Sequence, residues 1–130
     1  MPNIDVHLAA DTGAPEAARR SIEELRSTID PTTLDEAVLL TSELVTNSVR
    51  HARLDENQSI GVRAVVGGDS VRVEVSDPGR GFDAHGVSRP AAGGGWGLWL
   101  LDRIASSWGV HPGQPTTVWF ELGFPPAQQG

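Results

Sequence analysis

Hydrophobic positions along this chain follow two rhythms. Ile4, Val6 and Leu8 alternate with polar neighbours, so residues 3–9 read as a strand. Residues 15 to about 29 change to a helical period: Ala17, Ala18, Ile22, Leu25 and Ile29 share one stripe, with Pro15 at an early position, and Asp30-Pro31 breaks the run. Thr33-Leu34-Asp35-Glu36 fits a capping box with Thr33 as N-cap, which predicts a second helix running to about His51 or Ala52. Residues 59–66 and 70–76 read as strands joined through Gly67-Gly68-Asp69. In the second of these, Val71, Val73 and Val75 give a dry face and Arg72, Glu74 and Ser76 a wet one. An irregular Gly-rich stretch, 77–95, precedes a helix from Gly97 to about Ser107. Residues 109–111 suggest a short strand, 116–122 a final one, and the Pro-rich tail from about 123 is expected to be flexible. The order β-α-α-β-β-loop-α-β-β predicts an α+β two-layer sandwich, a mixed, mostly antiparallel sheet with helices on one face.

Composition narrows the function classes. A chain of 130 residues supports one core, so residues 1–130 are expected to be a single domain. Ten basic and 17 acidic residues give a net charge of −7, which argues against direct nucleic-acid binding and against an anionic membrane. All the basic residues are Arg, so neither a Schiff-base Lys nor a Walker Lys is available. Without Cys there are no disulfides, thiolate zinc sites or thiol nucleophiles. The first residues lack the basic and apolar regions of a signal peptide, and no apolar run approaches the ~20 residues that span a bilayer. A soluble, cytoplasmic domain is expected.

Three stretches carry candidate chemistry. On the second helix, Leu34, Ala37, Val38, Thr41, Val45, Ser48, Val49 and Ala52 are expected to form the face that packs on the sheet. Glu43 and Asn47 fall on the opposite side one turn apart, with Arg50 nearly in line and Leu40, Leu44 and His51 flanking them. A carboxylate and an amide at this spacing suit a divalent cation or a proton transfer, although spacing alone does not separate them from an ordinary solvated face. Second, Asp77-Pro78-Gly79-Arg80-Gly81-Phe82 ends a strand sharply and leaves Asp77 at its tip, where a carboxylate can accept from an amino group; as local chemistry it is also a plain turn. Third, Gly93-Gly94-Gly95-Trp96-Gly97-Leu98 opens directly into a helix, whose free N–H groups and dipole attract phosphate. It is neither a Walker loop nor GxGxxG, and a flexible linker would look similar.

Together and in this order, SELVTNSVRHA, DPGRGF, GGGWGLWLLDRIASSWGV and TTVWFEL resemble the histidine-kinase-like ATPase superfamily of gyrase B, Hsp90, the histidine kinases and MutL. The chain is most similar to the free-standing anti-sigma-factor serine/threonine kinases of actinobacteria, over about residues 3–122. The resemblance implies ATP and Mg²⁺ as ligands. It makes Glu43 the general base and Asn47 the Mg²⁺ and phosphate residue, with Arg50 and His51 near the phosphates. It makes Asp77 the acceptor for the adenine amino group, with Gly79 and Gly81 letting the backbone and a water approach the base. Gly93, Gly95 and Gly97 would line the phosphate side, with the N–H groups of Gly97 and Leu98 meeting the nucleotide. A Thr near the start of the last strand would reach adenine through water; Thr117 is the first candidate and Thr116 the second.

The segment between the Gly motifs, 83–92, is short, as in the free-standing branch. The chain supplies no dimerisation or phosphoacceptor helices, so a complete histidine kinase is not expected. The function implied is a kinase that binds a sigma factor in one state and phosphorylates a Ser on a STAS-domain antagonist in another. The alternatives are a nucleotide-binding regulatory module without kinase activity and a detached histidine-kinase ATPase domain. Relatives of this kind often dimerise, which makes a homodimer an expectation that the residues alone do not decide. His7, His85 and His111 share no pattern and are expected in surface or turn positions. Trp96 and Trp99 flank the third motif, and core packing is expected of Trp99, Trp108 and Trp119.

Overall fold

Alternation on four of the five strands divides the sheet into a buried and an open face, and the helices cover the buried one. The computed structural model describes residues 3–51, 58–78, 96–113 and 115–124. In chain order the elements are β1 (Asn3–Ala9), α1 (Ala14–Glu23), a 3-10 turn (Glu24–Ser27), α2 (Pro31–His51), β2 (Ser59–Val66), β3 (Ser70–Asp77), α3 (Trp96–Ile104), β4 (Ser107–His111) and β5 (Thr116–Gly123). The strands pair in the order β1-β2-β3-β5-β4. The expected sandwich is present, but its sheet is not mixed: all four pairings among the described residues are antiparallel, because each neighbouring pair of strands runs in opposite directions. Ile4, Ile60, Val62, Val73, Val75, Val118 and Phe120 lie on the covered face with Ala18, Ile22, Leu25, Leu40 and Leu44 from the helical layer.

The expected element order holds, with shifted boundaries. Helix α3 ends at Ile104 and β4 starts at Ser107, two residues before the expected strand. Helix α2 starts earlier than its sequence suggests, because Asp30, not Thr33, caps it. The Thr33 N–H donates to Asp30 Oδ2 (3.1 Å), and Thr33 Oγ1 donates to Asp30 Oδ1 (2.7 Å). Pro31 then occupies the first helical position, where a missing N–H costs nothing. The bonds from Thr33, the hydroxyl above all, hold the Asp30 carboxyl below its ordinary value. A depressed carboxyl stabilises the fold above its unfolded-state pKa and loses that contribution as pH falls through the folded-state value. Asp30→Asn keeps an oxygen acceptor but does not titrate. Its stability deficit relative to the parent is therefore expected at neutral pH and should shrink on acidification below about pH 4. Urea unfolding of both proteins across that range checks this; a deficit independent of pH would contradict it.

The packed surface of α2 is wider than one stripe. Ala37, Thr41, Val45 and Ser48 are buried as expected, but so are Leu40, Leu44 and Asn47, which periodicity places beside or opposite that stripe. The reason is that α2 has neighbours on several sides: α1, the strands β3 and β5, and α3. Thr41 is fully buried, and its hydroxyl has no hydrogen-bond partner among the described residues. Thr41→Val, which has similar helix propensity and removes that hydroxyl, should raise stability by about 1 kcal/mol. A fall in the urea midpoint would contradict it.

Trp119 departs from expectation, because strand alternation turns it away from the core. It lies half-buried on the open face, with the Arg72 guanidinium 4.1 Å from its ring centroid. Arg72 also bonds Glu74 and Glu121, each at 3.1 Å. Across the pair Gly109 faces Trp119, and a Cβ at Gly109 would come within 2.8 Å of the indole Nε1, so glycine gives the ring its place. Trp108 is half-buried against the core. Trp99 is half-buried, and the Arg103 guanidinium lies 4.9 Å from its ring. His7 and His111 are exposed on the open face.

Candidate nucleotide site

The antiparallel pairing brings the end of β3 beside the start of β5. Asp77 therefore stands opposite Thr116, and Ser76 opposite Thr117. Successive side chains on a strand point to opposite faces. Asp77 is 1% exposed and Thr116 2%, both on the helix-covered face. Ser76 and Thr117 point to the open face, where their hydroxyls share a hydrogen bond of 2.8 Å. Of the two threonines proposed from sequence, Thr116 shares the face of the Asp77 carboxylate and Thr117 does not. The preceding turn sets Thr116 in place. Gly113 adopts a φ of 131°, a conformation open to glycine, and its carbonyl accepts from Thr116 Oγ1 at 2.8 Å.

The last turns of α2 lie against this end of the sheet. Ser48 is 1% exposed, and its hydroxyl donates to Asp77 Oδ2 at 2.9 Å. This bond fixes the helix against the strand tip. It also brings Asn47, the preceding residue, into the interior at 5% exposure. One turn earlier, Glu43 is half-buried; Arg50 is exposed near the helix end. His51 is the last residue of α2. Gly97 and Leu98 lie in the first turn of α3, where backbone N–H groups have no partner within the helix. Gly79, Gly81, Gly93 and Gly95 lie outside the described residues, as does His85.

The site thus gathers a buried carboxylate, two hydroxyls and an amide where three elements meet. Burying a charged carboxylate is costly unless donors surround it, so Asp77 is chemically suited to accept from a ligand amino group as well as from Ser48. Asn47 offers an oxygen of the kind that Mg²⁺ takes alongside phosphate and water. Among the described residues no cluster of His, Cys, Asp and Glu could hold a metal by itself. Grooves on the open face, one of about 330 Å³ beside Arg63, Arg72 and Glu74 and one of about 400 Å³ beside His7, Gly61 and Ser76, lie across the sheet from the Asp77 carboxylate.

The sequence places Ser48 on the packing face of α2 without a part in the site, and it ranks Thr117 above Thr116. Both had a readable signal. Ser48 is a hydroxyl within a stripe of otherwise mostly apolar packing positions. Counting back by twos from Leu122, Phe120 and Val118 places Thr116, not Thr117, on the core face.

Residues 8–121 match the family model of the histidine kinase-like ATPase domain. Among curated protein sequences, none matches the chain significantly. The structure of the RsbU and RsbW domains of a Mycobacterium tuberculosis protein is similar at a TM-score of 0.74 and 24% identity, covering 98% of this chain and 34% of that one. The histidine kinase domain of the Erythrobacter litoralis EL346 blue-light activated histidine kinase is similar at a TM-score of 0.59 and 22% identity, covering 86% of this chain and 60% of that one. The chain spans about a third of the length of the first structure and three-fifths of the second. At these identities the likeness is one of fold. No described helix is long and apolar enough to cross a membrane.

Proposed function

The chain belongs to the histidine kinase-like ATPase family, and from that premise we propose that it is a Mg²⁺-ATP-dependent serine/threonine kinase of the anti-sigma-factor type. Its substrate is a Ser on a STAS-domain antagonist, and its other partner is a sigma factor. It works in the cytoplasm as a homodimer, by protein contacts and without touching nucleic acid. The observation that carries the nucleotide reading is the buried Asp77 carboxylate at the tip of β3, tied to α2 by Ser48 beside Asn47 and faced by Thr116. Similarity of fold to a structure that includes an RsbW domain supports the kinase reading.

Asp77 accepts from the adenine amino group, and Thr116 takes the neighbouring position that sequence assigned first to Thr117. Asn47 would offer its amide oxygen to the metal and its NH₂ to the phosphates; Arg50 and His51, with the N–H groups of Gly97 and Leu98, offset phosphate charge. Gly79, Gly81, Gly93 and Gly95 allow close backbone approach. Bound Mg²⁺ supplies charge neutralisation at the phosphates. Glu43 accepts the proton of the attacking Ser hydroxyl, and the remaining catalysis is positioning.

Mixing the protein with labelled ATP and the STAS-domain proteins encoded beside it tests this. Phosphoserine on a partner is the expected result. Stable association without transfer would instead make the chain a nucleotide-binding regulatory module, and phosphohistidine would make it a detached histidine-kinase ATPase domain.

A further inference from the structure

Three hydroxyl side chains on these helices bond to their own backbone. Ser21 Oγ donates to Ala17 O (3.1 Å), Ser42 Oγ to Leu39 O (3.0 Å) and Thr46 Oγ1 to Ser42 O (2.7 Å). Ser48 breaks this habit. Its hydroxyl reaches across to the sheet and donates to Asp77 Oδ2 at 2.9 Å, linking residues 29 apart in sequence. Both residues are 1% exposed. A hydroxyl donating to a carboxylate is a charge-assisted bond, and inside the protein it is strong and directional.

We infer that Ser48 is a positioning residue that selects adenine over purines bearing a 6-oxo group, by holding the Asp77 carboxylate fixed in orientation. This rests on the nucleotide site proposed above. A carboxylate is acceptor-only. It welcomes the 6-amino group of adenine and repels the carbonyl oxygen that hypoxanthine or guanine places at the same position. That discrimination is sharp only while the plane of the carboxylate stays put. Holding Oδ2 stops rotation about Cβ–Cγ and so sets where the carboxylate's lone pairs point. Losing the hydroxyl removes a donor from a buried charge. The carboxylate then turns more easily, and its lone pairs no longer meet the 6-amino group squarely.

The test compares affinities for ATP and inosine triphosphate by calorimetry in the wild-type chain, Ser48→Ala, Ser48→Thr and Ser48→Cys. Ser48→Ala is expected to lose about tenfold in ATP affinity. It should keep its inosine triphosphate affinity within about twofold, so the preference for ATP falls about tenfold. Ser48→Thr, which retains a hydroxyl, should restore most of that preference. Ser48→Cys, with a weak S–H donor, should lie between, and it carries the test alone if Ser48→Ala does not fold. Equal losses for both nucleotides would show that Ser48 acts through packing and would overturn the inference. So would an unchanged preference in Ser48→Ala or Ser48→Cys. A wild-type chain that binds neither nucleotide would instead remove the nucleotide site itself, a distinguishable failure.

Discussion

Glu43→Ala is expected to slow phosphotransfer by roughly 10²–10⁴-fold while leaving ATP affinity within a few-fold, since a general base lowers the barrier and adds little to ground-state binding. The helix should tolerate the change. Glu43 is half-buried, and among the described residues it makes neither the cap bonds of Asp30 with Thr33 at the start of α2 nor the bond of Ser48 with Asp77 that ties α2 to β3. Alanine also has the highest helix propensity. Single-turnover transfer to a cognate antagonist, measured beside ATP affinity, separates the two quantities. A variant that retains transfer would remove Glu43 from the proton path. A variant that loses transfer and affinity together would point to a binding role.

Phe120→Ala should cost about 3–5 kcal/mol of folding stability. Phe120 is fully buried in the middle of β5, between Val73 on β3 and Trp108 on β4. Truncation leaves a cavity that the sheet cannot close, because the flanking strands fix the spacing on both sides. Against a total stability of about 5–15 kcal/mol, that is a large share. Urea unfolding reads it directly. A loss under 1 kcal/mol would mean that the covered face is loosely packed and that the end of the sheet carrying Asp77 and Thr116 is not rigidly supported.

Strand periodicity was the most legible part of the fold. Ile4, Val6 and Leu8, and then Val71, Val73 and Val75, alternate cleanly because each strand has one wet face, and both strands form where the pattern puts them. Helix α2 was less legible in its sidedness. A single stripe describes a helix with one neighbour; α2 touches α1, α3 and the sheet, so Leu40, Leu44 and Asn47 are buried as well. Its start was misread for a local reason: Asp30-Pro31-Thr32-Thr33 offers two competing caps, and Asp30 captures both the N–H and the hydroxyl of Thr33. At the site, residue types were legible and pairings were not. No local pattern links Ser48 to Asp77, because that contact exists only after α2 docks on β3. Trp119 shows the same limit, since the guanidinium that covers it comes from the neighbouring strand.

The account stands most directly on whether Asp77 reads an adenine base. Thermal unfolding with and without Mg²⁺-ATP, in the wild type and in Asp77→Asn, measures this. A ligand at a hundredfold excess over its Kd stabilises the folded state by about 2.7 kcal/mol, roughly 10 °C for a domain of this size. In Asp77→Asn the Ser48 hydroxyl can still donate to the amide oxygen, which turns the amide NH₂ toward the adenine amino group, donor against donor. The predicted result is a clear rise in the wild type and the loss of most of it in Asp77→Asn. A full nucleotide-dependent shift in Asp77→Asn would contradict the account.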